Sequence, residues 1–451
     1  MAPDDRFATA ELEGGPVVLT EEVPGVRSVS VGVWVRCGSV YESPEQMGVS
    51  HLLEHMVFKG TARRSAREIA LVLERLGGSL DAYTTREYTG YQARVLDEHL
   101  DIALDVLTDL VLEPVLRDTD LELEREVVLE EISTVEDTPD DLVFDLHAAA
   151  LFGTHPYGFS ILGTRETVAA VTPEGLRAAH GRWYRRPGLI VAAAGNVRHD
   201  AVVERVARLL ERAGPGREEV EVPAPVMEPP REVRVERATS QTHLVFGTAT
   251  FGHGDPRRYA LGLLSSAFGG GMSSRLFQRV REELGLAYSV YSFQSLYRLG
   301  GVSGVYVGTR PEWADRATSV VREEMARLAR DGLTAEELED AKGQVKGQLV
   351  LSLESSSARL QRLASAALYG EPIRTLQQLL ARIDAVSLDD VAELAALYFD
   401  PDQQVVVRLG PGAARRSPPR GRVRRARRDT AGDREEREPD GAAARRRDGA
   451  G

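Results

Sequence analysis

A single cysteine, Cys37, is the whole thiol content of the chain, so an internal disulfide is impossible. That suits a reducing compartment. No apolar run is long enough to span a bilayer, so no membrane insertion is expected. The opening residues, MAPDDRFATAELEGG, lack a basic segment followed by an apolar one, and they lack an Arg/Ser-rich amphipathic pattern. Neither a secretory signal nor a transit peptide is expected, and the expected location is the cytoplasm. Positive charge is in deficit: 56 Lys and Arg stand against 69 Asp and Glu, a net charge of −13. This argues against a general nucleic-acid partner. Glycines 269–271 fit neither Gly-x-Gly-x-x-Gly nor the Walker spacing, which removes a phosphate loop from consideration.

What is present is a soluble, globular composition of 451 residues, 42% hydrophobic and 28% charged. Two or three domains are the expectation for that length. The first half alternates strands with helices. Strand 26–39 precedes a helix over 43–61, opened by Ser43-Pro44. A second helix, 65–78, has Ser65 as its cap and Gly77-Gly78 as its stop. Residues 79–96 read as strand, followed by helices near 98–113, 117–137 and 139–152, a strand at 188–197 and a helix at 198–213. The second half follows a similar alternation, with strand 234–249, helices 256–268 and 273–283, strands 287–309, helices to about 399 and strand 403–409. The predicted class is α+β: two similar α/β sandwiches, each a mostly antiparallel sheet flanked by helices, related by duplication. Expected boundaries are 1–214, a Pro/Gly-rich linker at 215–233, a second domain at 234–410 and a tail at 411–451. From Gly410 onward, 13 arginines face 7 acids and Val423 is the one branched aliphatic residue, so disorder is expected there.

The stretch VSHLLEHMVFKGT, 49–61, is the most informative. On a helix, His51, Glu54 and His55 share one face, while Leu52, Leu53, Met56 and Val57 take the others. A helix apolar all round is buried, and buried imidazoles and carboxylates need partners. Local hydrogen bonding would serve a lone histidine. For His-x-x-Glu-His a divalent metal serves better: two histidines one turn apart offer two nitrogens, and the glutamate reaches the water of the metal. The order is that of the inverzincins. A third ligand must come from elsewhere. In 120–142 the apolar stripe Leu121, Val128, Ile132 and Val135 carries Glu124 and Glu131 on its flank, with Glu126 and Glu130 opposite. Glu131 as ligand and Glu124 as its support would satisfy both, although acids do stray onto inner helix edges.

GVSHLLEHMVFKGT, GGSLDAYTTREYTGYQARVL, EREVVLEEISTVEDTPDDLVFD and HPYGFSILGT together closely resemble the pitrilysin-type zinc peptidases, in the branch of the mitochondrial processing peptidase and its bacterial relatives. The resemblance runs to about residue 409. It implies one zinc per chain on His51, His55 and Glu131, with Glu54 as base and Glu124 as supporting acid. It also implies that Arg281 and Tyr288, in FGGGMSSRLFQRVREELGLAYSVYS, hold the substrate carbonyl and its oxyanion. Strand 79–86, with Asp81, Ala82 and Tyr83, would receive extended peptide by strand addition. Asp81 stands where many relatives carry Asn, and a carboxylate cannot donate as an amide does. Larger members close four such domains around a chamber. A two-domain chain therefore implies a dimer with shared sites, a homodimer in preference to a heterodimer with a silent homologue. The implied reaction is hydrolysis of unfolded peptides. The competing expectations are a silent structural or partner subunit, a zinc-holding module without turnover, and a presequence-processing subunit, the last disfavoured by the absent transit pattern.

Overall fold

The computed structural model describes residues 6–216 and 220–412. The tail expected from 411 therefore lies, beyond Gly412, outside the described residues. The first half runs β1 (Arg6–Glu11), β2 (Val17–Glu22), β3 (Ser28–Val35), α1 (Val49–Val57), α2 (Ala66–Glu74), β4 (Ser79–Thr84), β5 (Thr89–Leu96), α3 (Leu100–Leu112), α4 (Asp118–Glu136), α5 (Pro139–Phe152), α6 (Arg165–Ala170), α7 (Pro173–Trp183), β6 (Leu189–Gly195) and α8 (His199–Leu210). The second half runs β7 (Glu232–Glu236), β8 (Thr242–Thr250), α9 (Arg258–Gly269), a π-helical turn (Phe277–Glu283), β9 (Ala287–Leu296), β10 (Gly301–Thr309), α10 (Ala314–Asp331), α11 (Ala335–Ser352), α12 (Ser356–Leu368), α13 (Leu376–Asp384), α14 (Leu388–Tyr398) and β11 (Val405–Gly410).

Each half is built on one sheet. The first has the order β1-β2-β6-β3-β5-β4 and the second β7-β11-β8-β10-β9. Within both, one pair is parallel, β2 with β6 and β7 with β11, and the remaining pairs are antiparallel. Leaving out β1, the two sheets have the same five-strand topology, the pattern a duplication leaves. Strands buried on both faces lie at the centre: LIVAAAG of β6 and GVSGVYVGT of β10 have no exposed residue. Such continuous small and β-branched runs belong in a sheet covered on both sides.

The covering helices are exchanged between halves. α5 belongs to the first half in sequence but packs on β8 and β11 of the second sheet. Its Val143, Leu151 and Phe152 bury against Val245, Val302, Val405 and Val407. His147 Nε2 lies 3.1 Å from the Val405 carbonyl. In return α12 covers β2, β3 and β6 of the first sheet. Leu360, Leu363, Ala364 and Leu368 fill the face made by Leu19, Trp34, Ile190 and Ala192. Fully burying each large side chain of this kind is worth about 1.5–3 kcal/mol. Glu21, fully buried on β2, receives Arg359 and Arg362 of α12, the latter at 2.9 Å. The chain to Gly412 is accordingly one compact unit.

Several expectations shift. The helix expected from Ser43 begins only at Val49, after a 3-10 turn at Pro44–Gln46. Gly48, at φ +90°, interrupts the helix between them. The strand expected over 79–96 is the hairpin β4–β5, those over 287–309 form β9–β10, and 234–249 divides into β7 and β8. Strands β1 and β2 and helices α6 and α7 have no counterpart in the sequence expectation. Within the expected linker 215–233, described residues are anchored: Val222 is buried between the halves, the Pro223 carbonyl lies 2.9 Å from His155 Nε2, and β7 starts at Glu232.

Candidate metal centre

Helix α1 is apolar on nearly every side, and Leu52, Leu53, Met56 and Val57 are fully buried. It packs against α4, β4 and α7. That burial leaves His51, Glu54 and His55 half-buried on the side facing α4 and β4. The imidazole rings of His51 and His55 lie 4.7 Å apart. On α4, Leu121, Glu124, Val128 and Ile132 are buried, whereas Glu126 and Glu130 are exposed, the division the helical pattern predicts.

The two helices bring three ligand atoms together. Glu131 Oε2 stands 3.7 Å from His51 Nε2 and 3.7 Å from His55 Nε2. All three atoms lie within 4.8 Å of one another. Tetrahedral bonds of about 2.0–2.1 Å would set such atoms roughly 3.3 Å apart, so a small inward movement closes the set on an ion. Glu131 Oε2 is buried and has no hydrogen-bond partner among the described residues. A carboxylate oxygen aimed between two imidazole nitrogens and otherwise unsatisfied is relieved by a cation. The donor set of two nitrogens and one oxygen fits zinc.

Surrounding groups tune the three ligands. Burial, and secondarily the neighbouring His55, lowers His51 to about 4, so its ring is neutral and free to ligate. His55 Nδ1 lies 3.2 Å from Glu124 Oε2, and Lys59 Nζ holds the other oxygen of Glu124 at 2.5 Å. The Nδ1–H donated to that carboxylate leaves Nε2 as the metal-facing atom. Burial raises Glu54 above the ordinary carboxylate range, and the Thr84 hydroxyl partly counters this by donating to its Oε2 at 2.6 Å. Thr84 closes β4, so one hydrogen bond ties the candidate base to the strand beside it.

Strand β4 is the outer strand of its sheet, unpaired on its far side among the described residues. Asp81 is exposed and Ala82 packs on the first core. The Tyr83 phenol is engaged: it accepts from Trp34 Nε1 at 3.0 Å and donates to Gln361 at 2.9 Å. Arg281 and Tyr288 lie together at the start of β9. The Arg281 guanidinium sits 4.6 Å over the Tyr288 ring and donates to the Tyr288 carbonyl at 3.0 Å. Tyr288 is 74% exposed. Among the described residues neither makes a hydrogen bond or ion pair with His51, Glu54, His55 or Glu131. Sequence reasoning misses Thr84 and Lys59. Lys59 has a signal, falling one helical turn after His55. Thr84 has only the strand alternation that puts it on the side of Leu80 and Ala82.

Paired α/β sheets with a His-x-x-Glu-His cluster on a buried helix define a class, the metalloproteases. Within it the chain belongs to the insulinase family of peptidases. The family described as Insulinase (Peptidase family M16) matches residues 17–165, and Peptidase M16 inactive domain matches 170–345. An uncharacterized zinc protease of Streptomyces coelicolor is 41% identical over 392 residues, 85% of this chain and 85% of that protein. The uncharacterized zinc protease YmxG of Bacillus subtilis is 41% identical over 394 residues, 86% of this chain and 95% of its own. Among solved structures, a peptidase M16 inactive domain from Pseudomonas fluorescens superposes with a TM-score of 0.85 at 23% identity, covering 91% of this chain and 98% of that one. A protease from Helicobacter pylori gives 0.82 at 22% identity, covering 90% and 100%. These two show the fold alone.

Proposed function

We propose that the chain is a zinc-dependent endopeptidase of unfolded peptides, with one zinc per chain on His51, His55 and Glu131. The observation that carries the reading is the buried, unpartnered Glu131 Oε2 set between two Nε2 atoms. Zinc held there supplies a Lewis acid that polarises the scissile carbonyl and acidifies water. Glu54 moves the proton: its carboxylate takes it from the attacking water and returns it to the leaving amine. Thr84 fixes the Glu54 oxygen through its 2.6 Å hydrogen bond. The open edge of β4 binds extended substrate through main-chain hydrogen bonds, beside the base that acts on it.

The same reading extends to assembly. Arg281 and Tyr288 are exposed or half-exposed and reach none of the metal ligands of their own chain. We assign them to the site of a second copy, in a closed two-fold homodimer where they hold the carbonyl oxygen as charge develops. A reducing cytoplasm suits the one buried thiol. Among the described residues, no helix is long and apolar enough to cross a membrane.

The test pairs a quenched fluorescent peptide with zinc analysis, on wild type and Glu54→Gln. Zinc in both and cleavage by wild type alone is the expected result. Mixing Glu54→Gln with Arg281→Ala then restores part of the activity if sites are shared. Zinc without cleavage by wild type would make the chain a silent partner, and absence of zinc would overturn the metal assignment.

A further inference from the structure

The two histidines of the cluster are held differently. His55 is aimed by Glu124 at its Nδ1. His51 has no such support: its Nδ1 is buried and without a hydrogen-bond partner among the described residues. The direction of the His51 ring is therefore set by its backbone, and by whatever holds that backbone.

Helix α1 supplies no cap of its own. Its N-cap position is Gly48, which has no side chain to accept from the first turn. The orphan donors of a helix start must still be satisfied when the end is buried. Glu42 does this from outside the helix. Its Oε2 accepts from Gly48 N at 2.9 Å and its Oε1 from Ser50 N at 2.7 Å. Ser50 is the residue immediately before His51. Glu42 is 4% exposed, and among the described residues no arginine, lysine or histidine pairs with it. Two backbone donors and the Ser50 hydroxyl do not offset its burial, which raises it to about 7. A buried carboxylate without a cation is a stability liability. Its placement on the N-terminal donors of the metal helix gives that liability a use.

We propose that Glu42 is a positioning residue for the metal site: by holding Gly48 N and Ser50 N it fixes the height and rotation of the first turn of α1, and so the aim of His51. One residue of helical slip turns a side chain by about 100°, which would carry the His51 nitrogen off the ion. The inference rests on the metal reading above.

The experiment is zinc affinity, by chelator competition, on the full chain. Glu42→Gln keeps the shape but turns an NH₂ group toward a backbone N–H donor. Its zinc affinity is expected to fall roughly 10–100-fold, the range for losing an outer support. Two further readouts separate this from general damage. Metal-stripped Glu42→Gln should still unfold in one cooperative transition from a wild-type circular dichroism spectrum, since the buried Leu52, Leu53, Met56 and Val57 keep α1 in the core. Saturating zinc should return kcat toward the wild-type value. Should Glu42→Gln fail to fold, Glu42→Asp keeps the charge but withdraws it by a methylene, and the same loss of affinity is expected. Wild-type zinc affinity in the folded variant overturns the role of Glu42 and leaves the metal site standing. A wild type that binds no zinc overturns both.

Discussion

In the proposed mechanism Glu54 accepts a proton, and its surroundings pull on it in two directions. Burial raises its pKa; the Thr84 hydroxyl, as donor to the charged form, lowers it. Activity needs the carboxylate, so kcat/KM is expected to fall as the pH drops through a value above the ordinary carboxylate range. Thr84→Val removes the lowering influence. The acid limb of its pH–rate profile should therefore move further up, and kcat at neutral pH should fall; an unmoved limb would separate Thr84 from the base. Glu124→Ala removes the acceptor that aims His55, and zinc affinity is expected to fall about 10–100-fold in chelator competition. These residues are unequally legible. His51, Glu54 and His55 announce themselves because polar groups on an all-apolar helix must be explained. Glu131 and Glu124 can be found by helical angle because α4 is regular for its whole length. Glu42 cannot, because its contact crosses a 3-10 turn and a glycine that helix periodicity does not describe.

At the level of elements, local chemistry marks some helix starts and misplaces others. Ser65 closes a capping box with Glu68, as its position before an apolar run predicts. Ser43-Pro44 gives the same signal for α1 and is followed by a 3-10 turn instead, because Gly48 takes a left-handed conformation that an α-helix cannot pass through. A Cβ on Gly48 would also come within 2.5 Å of the Leu162 carbonyl oxygen. Gly48→Ala is thus expected to cost about 1–3 kcal/mol in urea unfolding and to weaken zinc binding with it, since strain at φ > 0 and a backbone clash act on the same turn. A melting curve equal to wild type would mean the turn can relax. The hairpin β4–β5 reads as an unbroken strand because its tip carries no glycine or proline: Thr85-Arg86-Glu87-Tyr88 joins the two strands through side-chain hydrogen bonds to its own backbone.

The whole molecule depends on the exchange of α5 and α12, and nothing in the periodicity of a helix says which sheet it will cover. That choice is made by shape and by pairs such as Glu21 with Arg359 and Arg362, whose members lie more than 300 residues apart. Glu21→Ala would leave two arginines facing a buried gap, and a loss of roughly 3–5 kcal/mol is expected in chemical unfolding. Residues 1–214 alone would expose the face of Leu19, Trp34, Ile190 and Ala192 that α12 covers. This fragment is expected to aggregate or bind a hydrophobic dye, whereas 1–412 should unfold in one transition by fluorescence and by circular dichroism. A soluble, monomeric fragment with native-like tryptophan emission would show that the halves are independent.

The exchange also orders events in time. Helix α5 emerges from the ribosome about ninety residues before β8 begins, at Thr242, and far ahead of β11, the strand set between β7 and β8. The apolar side of α5 has no sheet to settle on until β8, and then β11, have been made. Sheet contacts of such long sequence separation form slowly. The nascent chain carries an exposed apolar helix face across that interval, the kind of transient surface that makes a folding chain prone to aggregate.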